Sequence, residues 1–252
     1  MKLAAFALLA LLALGSAGTA RAATTTTPSG RSLEADVIAL VENDHVAAAQ
    51  EKVRNSGVDG ERLLFLSGVL LHAVGDFEKA LGFLEQAQKL QPRSASIGLR
   101  LAEVYVWKGN TAAARRILEM FPAWSLKLVE RPWELLGHRA NVLMWLGERV
   151  QTEALLLDLL ESPGLPGLFR RRFRTQLAEL CAWNGDFAGA ERLLALVTAE
   201  EPGHVDALLL KGQLLEWNGQ YRAARDLYSS GLQLHPNQAR LAQRLERLSW
   251  VP

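Results

Sequence analysis

The stretch CAWNGDFAGAERLL, residues 181–194, sets a tryptophan two places before a glycine, an aspartate just after it, and small and apolar residues at helical spacing beyond. Read alone, it is the end of one helix, a tight turn and the start of another. Four other stretches share the plan: HAVGDF (72–77), YVWKGN (105–110), LMWLGE (143–148) and LEWNGQ (215–220). Their glycines are Gly75, Gly109, Gly147, Gly185 and Gly219, spaced by 34, 38, 38 and 34 residues. Self-similarity at such a period is the mark of stacked supersecondary units.

Seven residues before each glycine stands a small residue (Gly68, Ala102, Ala140, Ala178, Gly212), and five after it another (Ala80, Ala114, Thr152, Ala190, Ala224). Two helices approach closely only at such positions. Larger residues four before the glycine (Leu71, Tyr105, Leu143, Cys181, Leu215) and nine after it (Leu84, Leu118, Leu156, Leu194, Tyr228) fill the space around the contact. Pro92, Pro202 and Pro236 close three units, because proline cannot continue a helix without losing a backbone donor. In the other two, Pro122 and Pro163 end the second helix, and PAWSLKLVERPW (122–133) and SPGLPGLF (162–169) supply the extra residues.

In order, these small, aromatic, small, aromatic and proline positions resemble those of the tetratricopeptide repeat family. The resemblance implies an all-α fold, a right-handed α-solenoid of helix-turn-helix repeats with capping helices. It places five repeats at 61–94, 95–132, 133–170, 171–204 and 205–237. Residues 33–60 read as a degenerate helical pair that caps the first repeat, with Asn43 and Asp44 at its turn and Ala49 as the small contact. Residues 238–252, with Leu241, Leu245 and Leu248 in a narrow apolar stripe, read as a C-terminal capping helix.

The start of the chain predicts export. Lys2, an apolar core from Leu3 to Leu14 and the triplet Ala20-Arg21-Ala22 have the form of a secretory signal peptide cleaved after Ala22, followed by a flexible leader, 23–32. The periplasm is the expected location. Removing Lys2 and Arg21 leaves 26 basic against 27 acidic residues, too balanced for a field that draws nucleic acid. No apolar run reaches the roughly 20 residues of a membrane span, so no integral segment is expected after cleavage.

Catalysis leaves no trace in the pattern. His45, His72, His138, His204 and His235 fall on different units without metal-ligand spacing, and no phosphate loop, nucleophile elbow or carboxylate pair stands in a suitable context. The expectation is a non-enzyme with no metal or cofactor. Cys181, the only cysteine, can form no intramolecular disulfide and reads as a small hydrophobe at a helix contact. The run FRRRFR (169–174) reads as a solvated helix start with Phe169 and Phe173 turned inward, or as a seat for an anionic partner.

Trp107, Trp145, Trp183 and Trp217 all stand two places before a turn glycine, with Glu103, Asn141, Glu179 and Gln213 four residues earlier on the same helical face. The resemblance implies that both positions face the concave groove of the repeats. Two roles fit: structural wedges between neighbouring repeats, or a ligand ladder in which each ring has a polar companion. The Trp-x-Gly turns are similar to those of bacterial exopolysaccharide secretion scaffolds, which implies a protein partner of an envelope or secretion complex, and polysaccharide as a ligand. A peptide-binding adaptor for envelope protein or cytochrome maturation is the alternative.

Overall fold

A computed structural model describes residues 33–42, 45–129 and 132–249. The expected signal peptide, the leader and the Asn43–Asp44 turn lie outside the described residues. Every regular element among those described is a helix.

The chain divides into two compact lobes, up to Lys108 and from Gly109 onward. The first holds α1 (Leu33–Glu42), α2 (Val46–Asn55), α3 (Gly60–Ala73), α4 (Phe77–Leu90) and α5 (Ala95–Trp107). The second holds α6 (Thr111–Met120), the single turn α7 (Ala123–Leu126), α8 (Pro132–Trp145), α9 (Arg149–Glu161), α10 (Gly167–Trp183), α11 (Phe187–Glu200), α12 (Val205–Trp217), α13 (Tyr221–Leu234) and α14 (Ala239–Leu248). Within each lobe, sequence neighbours pack as hairpins and each hairpin packs on the next, so both lobes are built of α-solenoid repeats. The boundary falls at the turn of the second repeat, which sequence periodicity does not distinguish from the others.

The repeated turn has a compact hydrogen-bond logic. After α10, Gly185 adopts φ 81°, its N–H donates to the Ala182 carbonyl, and the Asp186 N–H reaches back to the Cys181 carbonyl at 2.9 Å. This pair of bonds closes the orphan carbonyls at a helix end, and the left-handed residue between them is best a glycine. Asp186 then turns its side chain forward and accepts from the Gly189 N–H at 2.8 Å, capping α11. One residue thus ends one helix and begins the next. Asp76 and Asn110 cap α4 and α6 in the same way, whereas Glu148 and Gln220 make no such bond.

The small positions are where the helices cross. A Cβ on Gly68 would lie 2.5 Å from Leu84 Cγ, and one on Gly212 would lie 2.2 Å from the Tyr228 ring. Around the α10–α11 crossing, Ala178, Ala190, Leu194, Val197 and Ala207 form one buried cluster, with Cys181 packed against it. Each buried leucine there is worth roughly 1.5–3 kcal/mol of stability.

The early end of α6 is held by a side chain from outside the helix. Arg139 of α8 donates from Nη1 to the carbonyls of Leu118 at 2.7 Å and Phe121 at 2.9 Å, just ahead of Pro122. A guanidinium is well suited to collecting several acceptors at once. At the other end of the lobe, α14 buries Leu241 and Leu248, and its Arg240 pairs with Asp206 at 2.8 Å. No helix among the described residues is long and apolar enough to cross a membrane.

Candidate functional site

Each of the four tryptophans is the last residue of its helix: Trp107 in α5, Trp145 in α8, Trp183 in α10 and Trp217 in α12. The helix stops there because the glycine two places on takes the left-handed conformation. At the end of a helix a ring is only partly covered by its own turn, and Trp107, Trp183 and Trp217 are 55%, 42% and 50% exposed. Trp145 is half-buried.

Two of the rings lean on the repeat before them. In the first lobe Trp107 stacks on Phe77, with centroids 5.6 Å apart and planes within 6°. In the second, Trp217 tilts at 55° against Phe187 at 6.3 Å. Phe77 and Phe187 are each the first residue of the preceding second helix, two places after a turn glycine. The motif pairs Gly-Asp-Phe in one repeat with Trp-x-Gly in the next, and an aromatic contact of this kind adds about 0.5–1.5 kcal/mol beyond burial. The partners Phe77 and Phe187 escaped sequence reasoning because the pairing is offset by one repeat.

The polar companions behave differently from one another. Glu103 is buried and accepts from Arg100 Nη1 at 3.3 Å, so its charge is used inside the first lobe. Asn141 of α8 accepts from Gln176 Nε2 of α10 at 2.5 Å, and the same nitrogen donates to the Gly137 carbonyl at 3.1 Å. That amide link ties two repeats together. Gln213 on α12 is half-buried. Glu179 on α10 is also half-buried; burial, helped by the negative charge of Asp206, pushes its carboxyl up to about 7. A carboxyl with that value exchanges its proton near neutrality.

The basic run is matched from within the lobe. Arg171 pairs with Glu201 at 2.7 Å and with Glu200 at 3.9 Å, Arg174 pairs with Glu200 at 2.5 Å, and Arg170 donates to the Leu165 carbonyl at 3.2 Å. Phe173 is fully buried and meets Phe169 at 6.2 Å between centroids. The arginines at the start of α10 therefore answer the acidic end of α11. No cluster of metal-ligating side chains occurs among the described residues.

A family model described as tetratricopeptide repeat matches residues 71–138 and 172–248. No curated protein sequence matches the chain. Among solved structures, a thermophilic tetratricopeptide protein from Thermus thermophilus is similar with a TM-score of 0.57 and 19% identity, covering 76% of this chain and 100% of its own. PilF of Pseudomonas aeruginosa is similar at 0.50 and 17%, covering 75% and 91%. NprR, solved with its cognate peptide NprX, is similar at 0.57 and 12%, covering 84% and 68%. Identities this low speak to the fold and leave the partner open.

Proposed function

The chain belongs to the tetratricopeptide repeat family, and from that premise we propose that it is a non-catalytic scaffold of the cell envelope, exported to the periplasm, that docks an extended segment of a partner protein on the tryptophan face of its second lobe. One observation carries the reading: in the second lobe Trp183 and Trp217, at one repeated structural position, the helix end, stay 42% and 50% exposed. Recurring exposed tryptophans leave more apolar surface in water than the packing of repeats requires, and aromatic anchors of this kind dominate protein interfaces. That NprR is known with a bound peptide, and that PilF has been characterised functionally on the same architecture, is in keeping with a docking role.

Exopolysaccharide export is the second reading, supported by the Trp-x-Gly turns and by a ring's fitness to stack on a sugar. A repeating sugar subsite needs a free polar group beside every ring. Glu103 and Asn141 are spent on Arg100 and Gln176, which leaves Glu179 and Gln213 and favours a partner segment over a regular polymer.

The experiment is the double variant Trp145→Phe with Trp183→Phe, titrated with extended peptides and with glucose oligomers while unfolding free energy is measured in parallel. Weakened binding with most of the stability retained is the expected result. A large loss of stability with unchanged binding per folded molecule would leave the rings as wedges and remove the docking face.

A further inference from the structure

Around the end of the second lobe, several acidic side chains are matched by basic or hydroxyl partners. Asp206 holds Arg240; Glu216 accepts from the Tyr228 hydroxyl at 2.6 Å and from Arg247 at 3.0 Å; Glu200 and Glu201 hold Arg171 and Arg174. Glu179 is an exception. It is half-buried, stands one helical turn before the exposed ring of Trp183, and makes neither a hydrogen bond nor an ion pair among the described residues. Desolvating a carboxylate without a counter-charge is costly, and the fold supplies none.

Resting on the reading of the tryptophan face as a docking surface, we propose that Glu179 and Trp183 together seat a lysine or arginine side chain of the extended partner segment. The chemistry is complementary in two respects. The carboxylate supplies the missing charge partner, and the face of an indole attracts a cation through its quadrupole, most strongly where water is excluded. A neutral sugar offers hydroxyls to the carboxylate and leaves its charge uncompensated.

Of the helices packed on α10, α12 brings Asp206, already held by Arg240 of α14; α8 brings the uncharged Asn141 amide, tied to Gln176; α11 spends its acidic end on the arginines of α10; and α9 brings Glu153, whose negative charge bears on Cys181. The remaining influence is the negative charge of Asp206, which together with burial keeps the carboxyl partly protonated at neutral pH. A cation arriving there displaces the proton, so docking and proton release are one event.

The test uses the full chain and two probes, an alternating Lys-Pro peptide and its Gln-Pro counterpart, read by tryptophan fluorescence or calorimetry. The Lys peptide is expected to bind more tightly, with an affinity that rises about tenfold from about pH 6 to about pH 8 as Glu179 ionises. In Glu179→Gln the preference for the Lys peptide and its pH dependence should vanish, and a melting curve establishes that the variant is folded. Equal binding of both peptides by the parent chain overturns the cation seat and leaves the docking face standing. A Lys preference that survives Glu179→Gln does the same. Binding of neither peptide, or of glucose oligomers alone, overturns the seat and the partner-segment reading together.

Discussion

In the second lobe the crossing residue is alanine where the helix opposite carries leucine, as in Ala140 with Leu156 and Ala178 with Leu194, and glycine where it carries tyrosine, Gly212 with Tyr228. A Cβ on Gly212 would stand 2.2 Å from Tyr228 Cε1 and 2.5 Å from its hydroxyl. Contact distance for such atoms is roughly 3.5–4 Å. The ring cannot simply swing away, because Tyr228 is fully buried and its hydroxyl donates to Glu216 at 2.6 Å. Gly212→Ala gains about 1 kcal/mol of helix propensity and loses about 1–3 kcal/mol to overpacking, so a net destabilisation of about 1–2 kcal/mol is expected given the depth of the clash. Tyr228→Leu alone leaves a void and strips Glu216 of a donor, at about 2–4 kcal/mol. The double variant restores the alanine–leucine pairing used elsewhere in the lobe, and should cost less than the sum of the singles by about 1–2 kcal/mol. Gly82→Ala on α4 is the control: a Cβ there meets nothing within 4 Å, and stability should rise by about 0.5–1 kcal/mol. Guanidinium unfolding followed by circular dichroism measures all four. Strict additivity of the two singles, or a stabilised Gly212→Ala, would refute the assignment of this pair as the crossing point.

Arg139→Met keeps the apolar stem but strips two carbonyls at the end of α6 of their donor, and should destabilise the second lobe by about 2–3 kcal/mol, most visibly as faster hydrogen exchange in α6. The Glu179 carboxyl is raised from an ordinary 4.5 to about 7, so the folded state binds the extra proton in that window and stability should fall as pH rises through it; in Glu179→Gln this slope should disappear, and an unchanged profile would show that another group titrates. Export predicts that intact-mass analysis of material from the periplasm finds a chain beginning at Ala23; retention of Met1 there, or fractionation with the cytoplasm, counts against it.

The helix pairs were legible because turn chemistry and packing point the same way. Glycine at the left-handed position, a small residue seven before and five after it, and an aspartate or asparagine behind it are constraints on single residues, and they recur. Offset relations were not legible. Arg139 serves a helix two elements back, and Phe77 and Phe187 pair with rings in the following repeat, so neither shows in an alignment of units to themselves. The same blindness affected the companions of the tryptophans. Spacing of four residues put Glu103, Asn141, Glu179 and Gln213 on the ring face, and nothing local revealed that an arginine three residues before Glu103, or a glutamine 35 residues after Asn141, had already taken their hydrogen bonds.

The offset pairing also separates the four rings by what they are free to do. The residue two places after the preceding turn glycine is Phe77 for Trp107 and Phe187 for Trp217, but Thr111 for Trp145 and Arg149 for Trp183. A ring that meets a phenylalanine of its own chain, stacked at Trp107 and tilted at Trp217, has part of its surface covered and serves the stack of repeats whatever else it does. Trp183 has no aromatic residue at that place, stays 42% exposed, and stands beside the one carboxylate of the ring face that the fold has left without a counter-charge. Structural wedge and ligand contact are therefore not rival descriptions of a uniform ladder. Trp107 and Trp217 meet phenylalanines of the preceding repeats, and under the docking proposal the ligand contact falls on Trp183 with Glu179, where a substitution should change binding far more than it changes stability.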